Sequence, residues 1–371
     1  SYGVTNSTVA ADAMMAFGAS DGTREFAYAA AAEDVQDPTD TGGVRDVDAS
    51  LLTLLNISQA QDAEADFSAF ITDGLRLNWS DAPPAAYLIN ALLVGGATTN
   101  CHVGSAVSPA VQDTATDVTA PGFQPDVVFT WGATIGTADY GHTLGITVND
   151  GSNTAYAVSA HNSNGAASSV VSGRLFSQRS TGNGTSGNAT TTQVQDFDSL
   201  GFSLYSRNGA TARTAHYMAI KLGPGVTKAL VSCDTPTGIG NQTCSGAGGT
   251  PQLGLMLEGE WAALDIEYGS GDAETAALGA FTASGGLVAG VNSEDLAAVS
   301  IEKSMTNNIP IHLYKDAADY MKASFVAMTS DGATLNFSVV PAGAKKRIIL
   351  FINQVSTILQ QGGGVPAALF Q

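Results

Sequence analysis

The sequence predicts an all-β chain of three tandem β-sandwich modules. Three observations point there. The composition favours short strands and tight turns, turn-and-strand anchors return at near-constant spacing, and helical periodicity is scarce.

Of the 371 residues, 42 are Gly, 44% are hydrophobic and only 13% are charged. That is enough apolar residue to bury a core, interrupted often enough by turn formers to break the chain into many strands. The length exceeds one sandwich and suits two or three domains.

The clearest anchor is a turn glycine followed by alternating apolar residues. It reads Asp73-Gly74-Leu75-Arg76-Leu77, then Leu200-Gly201-Phe202-Ser203-Leu204, then Asp331-Gly332-Ala333-Thr334-Leu335. The spacings are 201 − 74 = 127 and 332 − 201 = 131. A second anchor, Asp21-Gly22 ahead of Phe26-Ala27-Tyr28, returns as Asp150-Gly151 ahead of Ala155-Tyr156-Ala157, with a looser third copy at Gly285-Gly286-Leu287-Val288. Apolar segments at 51–56, 172–178 and 299–305 keep the same order. These anchors set module one at 1–97, module two at 98–224 and module three at 225–354, followed by a hinge and C-terminal strand at 355–371. Short helices are expected only at 29–34, 58–65 and 316–322, and a low-complexity loop at 181–192.

A fourth anchor opens modules two and three: Gly122-Phe123-Gln124-Pro125-Asp126-Val127-Val128 and Gly249-Thr250-Pro251-Gln252-Leu253. Module one has no such opening segment. The C-terminus carries a similar Gly-x-Pro run, in which Gly364 precedes Val365, Pro366, Ala367, Ala368, Leu369 and Phe370. These six residues are expected to complete module one, or the same module of a neighbouring subunit, because a sandwich short of a strand leaves N–H and C=O groups unpaired. Gly362-Gly363-Gly364 supplies the hinge.

The run from Gly122 to Val128, with Phe197-Asp198-Ser199-Leu200-Gly201-Phe202 downstream and His216-Tyr217-Met218-Ala219-Ile220-Lys221 after it, resembles modules of tailed-phage and prophage virion proteins. The resemblance covers module two best, module three in part, and module one only at its hairpin. It implies a concanavalin-like or lectin-like jelly roll and a virion setting: capsid decoration, tail or fibre. It implies no reaction.

The residues agree with a non-enzymatic role. The sequence contains no nucleophile elbow, P-loop, zincin helix motif or dinucleotide fingerprint. Net charge is 15 − 34 = −19, which repels phosphate backbones and anionic membrane surfaces, so neither nucleic acid nor membrane is an expected partner. No apolar run approaches the roughly 20 residues of a spanning helix, and Ser1-Tyr2-Gly3-Val4 lacks the start of a secretory leader. Other virion proteins, further copies of the chain and a host-surface glycan are the partners to consider, and a carbohydrate-binding adhesin is the alternative function.

The five histidines are His102, His142, His161, His216 and His312. Four fall in module two, where a shared site would need Asp139 or Asp150. Loop carboxylates cluster at Glu33-Asp34, Asp37, Asp40, Asp46, Asp48, Asp272 and Glu274. No cofactor is expected; calcium is the metal such hard oxygen ligands suit, although EF-hand spacing is absent. Trp79, Trp131, Trp261, Tyr205 and Phe337 sit at strand positions, where core packing competes with sugar stacking. Cys233 and Cys244 flank a turn-rich loop and could pair, but free thiols are the expectation for a protein assembled inside a cell. Lys345-Lys346-Arg347 opens a strand and reads as a solvated edge or an intersubunit contact.

Overall fold

The computed structural model describes residues 2–3, 8–9, 12–33, 44–47, 49–55, 61–72, 74–83, 88–89, 91–93, 99–135, 139–163, 171–177, 181–182, 191–208, 212–259, 261–265, 267–268, 274–293, 301–306, 309–315 and 318–353. The protein is all-β: every described secondary-structure element is a strand.

The first nine strands are β1 (Tyr2–Gly3), β2 (Thr8–Val9), β3 (Asp12–Ser20), β4 (Glu25–Glu33), β5 (Val44–Val47), β6 (Leu52–Leu55), β7 (Gln61–Ile71), β8 (Gly74–Asp81) and β9 (Leu88–Ile89). Ten more are β10 (Asn100–Val107), β11 (Ala115–Val118), β12 (Val127–Ile135), β13 (Asp139–Val148), β14 (Ala155–Ser163), β15 (Val171–Ser177), β16 (Thr181–Gly182), β17 (Thr191–Phe197), β18 (Phe202–Asn208) and β19 (Thr214–Lys221). The last eleven are β20 (Thr227–Asp234), β21 (Gly240–Ser245), β22 (Pro251–Gly259), β23 (Glu267–Tyr268), β24 (Glu274–Thr282), β25 (Gly285–Ser293), β26 (Ile301–Thr306), β27 (Ile311–Lys315), β28 (Ala318–Thr329), β29 (Gly332–Val339) and β30 (Lys346–Asn353).

Two strand sets share one topology. A large sheet runs β10-β19-β12-β13-β14-β15 and a small sheet β11-β18-β17-β16. Further along the chain, a large sheet runs β20-β30-β22-β24-β25-β26 and a small sheet β21-β29-β28-β27. In each set the first strand pairs with the last, and the second with the last but one. Near the N-terminus, β3-β4-β5 and β6-β7-β8 take the places of β13-β14-β15 and β16-β17-β18.

Register fixes the correspondence. Val127 pairs with Ile220, Leu253 with Ile352, and Tyr2 with Ile89. Tyr2–Gly3 therefore occupies the opening-strand position that the sequence reading left vacant in module one. What module one lacks among the described residues is a counterpart to β10 and to β11.

Sheets also borrow strands across modules. β23, on the connection from β22 to β24, adds to the free edge of β15. β2, on the connection from β1 to β3, adds to β26 in the same way. β12 in turn lies beside β5. Each module thus leans on the one before it, and module one on module three, which is a cyclic arrangement.

The period-2 alternation of strand side chains gives each large sheet two buried faces. Along β30, Ile349 and Phe351 face the small sheet of module three. Ile348, Leu350 and Ile352 face the other way, into a core shared with Phe17, Phe26 and Tyr28 of module one and Val127, Phe129 and Trp131 of module two. This double burial explains why β22 and β30 read as near-continuous apolar runs.

The expected helices at 29–34, 58–65 and 316–322 are strand instead wherever they are described, within β4, β7 and β28. Each of these strands is central to its sheet, with partners on both sides. Ladder pairing and burial of Ala63, Ala65, Met321 and Ala323 outweigh the helix preference of alanine-rich sequence.

Cys233 and Cys244 form a disulfide. It joins β20 in the large sheet to β21 in the small one, so it staples the two layers of module three. A closed loop of this length is worth about 3 kcal/mol in the chain-entropy account. A Cys233→Ser/Cys244→Ser chain should lose about that much stability in thermal and denaturant unfolding. The parent in reductant should fall to the same value, and the variant should not respond to reductant; equal stability of both chains would show that the bond contributes nothing.

Candidate functional site: the open edge of module one

The anchor glycines report what lies beside each last-but-one strand. A Cβ on Gly201 would collide with the Val118 carbonyl oxygen in β11, and one on Gly332 with the Cys244 carbonyl oxygen in β21. At Gly74, which opens β8, a Cβ would meet nothing within 4 Å. The glycine is in place, but no described backbone lies against it.

Burial agrees with this. Phe202, Leu204 and Ser206 on β18 are buried, as are Ala333, Leu335 and Phe337 on β29. The equivalent residues on β8 are Leu75 and Leu77, both half-buried, and Trp79, which is 37% exposed against 1% for Phe337. Phe70 and Ile71, at the turn between β7 and β8, are 60% and 46% exposed. Among the described residues, module one thus presents an unpaired sheet edge with apolar side chains behind it. Such an edge is a template for another strand, and proteins normally cover or charge it.

Contacts between modules are specific. Asp21, in the β3–β4 turn, accepts the Val103 amide of β10 on Oδ2 at 3.0 Å. Burial pushes the Asp21 carboxyl up, but the amides of Val103, Arg24 and Thr23 and the Arg24 guanidinium outweigh it and hold it below the usual aspartate range. Phe26 stacks on His216 of β19 at 4.6 Å. Between modules two and three, Asp126 takes the Leu222 amide at 2.9 Å and the Lys228 ammonium of β20 at 2.6 Å. Asp126 is the acid of the opening run from Gly122 to Val128, so there it acts as a structural clamp.

The remaining sequence candidates disperse. His102 is buried and stacked on Tyr217 at 5.7 Å, and burial lowers its pKa. The side chains of His142, His161, His312 and Asp139 lie outside the described residues. Asp150 caps its own turn, accepting the Ser152 and Thr154 amides at 2.9 and 3.2 Å. Among the described residues no three His, Cys, Asp or Glu side chains gather to hold a metal ion; much of the loop-carboxylate set proposed for calcium, including Asp34, Asp37, Asp40, Asp48 and Asp272, lies outside them.

Trp131 and Trp261 are buried in the shared core, and Phe337 lies beneath the Arg347 guanidinium. Tyr205 is half-buried, bonds Asp113 at 2.9 Å and has Arg207 over its ring. Trp79 is the one exposed aromatic of that group. Cys101 is a free thiol that burial, with Asp21 adding to it, pushes up to about 12, so it is no nucleophile.

Arg347 is not a solvated edge residue. Strand alternation turns it inward, fully buried, while Lys346 pairs with Asp234 at 2.7 Å. The expected completing strand of Val365, Pro366, Ala367, Ala368, Leu369 and Phe370 lies outside the described residues. Sequence reasoning missed Lys228, which no motif marks. Asp21 stood inside a turn anchor, where its reach into the next module is not visible. Compared with known proteins, the chain matches no family model and no curated sequence.

Proposed function

We propose that this chain is a non-enzymatic structural protein of a phage-type virus particle: a capsid-decoration, tail or fibre component that packs against other virion proteins and further copies of itself. One observation carries the reading. The large sheets of all three modules turn one face onto a single common core. One chain thus gathers three sheets about one core, an arrangement that suits a symmetric position on a shell or tube.

The open edge of β8 supports it, because strand addition is a common way for such blocks to join. The strong negative charge favours protein rather than nucleic acid as the surface on which it docks. The phage-like run from Gly122 to Asp126 agrees with this setting. In a virion assembled in the host cytoplasm, the Cys233–Cys244 bond would close after release from the reducing compartment.

Electron cryo-microscopy of particles purified from the source tests the proposal. Ordered density fitting this chain on a capsid, tail or fibre is the expected result. Particles devoid of the chain, with the protein recovered free and binding glycans on an array, would replace the proposal with the adhesin reading.

A further inference from the structure

We propose that module two carries a binding site for a neutral sugar on the outer side of its small sheet, built from Tyr205, Arg207 and Gln193 with Asp113 of the β10–β11 loop. The reading above supplies its biological purpose, attachment of a particle to a surface glycan, while the binding itself is a property of the isolated chain.

Local structure sets these side chains. Alternation along β18 turns Phe202, Leu204 and Ser206 inward, where they are buried, and leaves Tyr205 outward and half-buried. Gln193 of β17 pairs with Tyr205. The register then slips between Thr192↔Ser206 and Thr191↔Asn208, so Arg207 is the extra residue of a β-bulge. A bulge re-aims the side chain it carries. Here Arg207 Nε donates to Gln193 Oε1 at 2.7 Å, and the guanidinium carbon lies 5.7 Å from the centre of the Tyr205 ring.

Asp113 comes from a loop pinned to the same strand. Its amide donates to the Ser206 carbonyl at 2.8 Å, the Ser206 amide to the Thr114 carbonyl at 2.9 Å, and the Thr114 hydroxyl to the Val111 carbonyl at 2.6 Å. Asp113 is held at φ 61°, in the left-handed region that residues other than glycine seldom take. So fixed, its Oδ1 accepts the Tyr205 hydroxyl at 2.9 Å. This bond raises the Tyr205 phenol above its usual range.

The other two modules show that the fold does not require these residues. The same bulge recurs at Ser80 and at Ser338. At the place of Tyr205 they carry Asn78 and Asn336, and at the place of Gln193 they carry Asp66 and Ser324. In module three Ile239 stands where module two has Asp113. Among the described residues, module two alone combines an aromatic ring, a guanidinium, a carboxylate and an amide at this position.

That set matches a sugar. The apolar C–H face of a pyranose packs on an aromatic ring, and its hydroxyls need both acceptors and donors nearby. Among the described residues Asp113 Oδ2 and both Nη atoms of Arg207 have no hydrogen-bond partner, so both kinds of group remain beside the ring. Because the pinned loop and the bulge already hold them, little freedom is lost on binding. Asp117, opposite Ser203 in the same ladder, and the net charge of −19 disfavour an anionic sugar.

Saturation-transfer NMR on the full chain tests the site. The probes are the methyl glycosides of glucose, galactose, mannose and N-acetylglucosamine, with methyl glucuronide as the acidic counterpart. Transfer to at least one neutral glycoside is expected, and none to the glucuronide. Tyr205→Asn and Arg207→Ser place there the residues that modules one and three carry, so these variants should melt close to the parent, yet each should bind the neutral glycoside about tenfold more weakly. Should Tyr205→Asn fail to fold, Asp113→Asn in the exposed loop decides by the same readout. No transfer to any neutral glycoside, a preference for the glucuronide, or unchanged binding in the folded variants overturns the proposal. The particle reading is judged apart, by whether purified particles carry the chain.

Discussion

Replacing Arg347 by methionine is expected to cost about 3–5 kcal/mol of unfolding free energy at neutral pH, the cost of leaving a buried charge without its compensating partner. Arg347 is fully buried on β30, donates from Nη2 to the Asp234 carbonyl at 2.9 Å, and lies 4.8 Å over the Phe337 ring. Glu258, on the adjacent strand β22, is also fully buried, and its carboxylate oxygens have no hydrogen-bond partner among the described residues. Burial drives the Glu258 carboxyl well above its usual value, and the positive charge of Arg347 partly offsets this. A carboxyl raised on folding favours the folded state in its protonated form. Its contribution is therefore complete below the unfolded value of 4.5 and is lost as pH rises through the folded value.

The penalty of Arg347→Met should accordingly shrink as pH is lowered toward 4.5. A Glu258→Leu/Arg347→Met double variant should be neutral or more stable than the parent, since apolar packing of similar volume often replaces a buried pair without loss. Denaturant unfolding of all three chains at two pH values checks this. A single variant as stable as the parent at neutral pH would show that the two charges are not coupled. Module two carries Gly132 and Ala215 paired at this place, which shows that the fold itself requires no charge there.

The second large effect separates three glycines that look alike in sequence. Gly201→Ala and Gly332→Ala should each destabilise by about 1–3 kcal/mol, the range for overpacking against atoms that cannot move aside. The obstacle in both cases is a backbone carbonyl, of Val118 or of Cys244, so relief requires parting β11 from β18, or β21 from β29. Gly74→Ala should stay within about 0.5 kcal/mol, as for a substitution in open space. Thermal melts of the three variants decide it. A Gly74→Ala cost equal to the others would mean that a strand already covers β8 in solution. A neutral effect on the isolated chain combined with failure to join particles would place that covering strand in a neighbour.

Much of the architecture was legible because strand patterns are local. The anchors at Gly22 and Gly151 fall at left-handed turns with φ of 86° and 84°, where a glycine is needed whatever surrounds it. Those at Gly74, Gly201 and Gly332 begin or immediately precede strands, and alternation after each turn marks the inward face. The all-β class came from such signals, as did the pairing of Cys233 with Cys244 as one option. Alanine-rich segments misled, because helix propensity is read locally while ladder pairing on both sides of β4, β7 and β28 is supplied by distant chain.

The sequence by itself determined the class of the protein, the order of its turns and which residues alternate, since these depend on near neighbours. Only the tertiary structure decided what fills each face. It placed Tyr2–Gly3 in the opening position of module one, turned Arg347 inward, brought Asp21 to Val103 across 82 residues, and left β8 and β9 with open edges among the described residues. Those outcomes depend on which sheets meet, and burial and pairing between remote segments are set by the whole packed chain rather than by any one stretch of it.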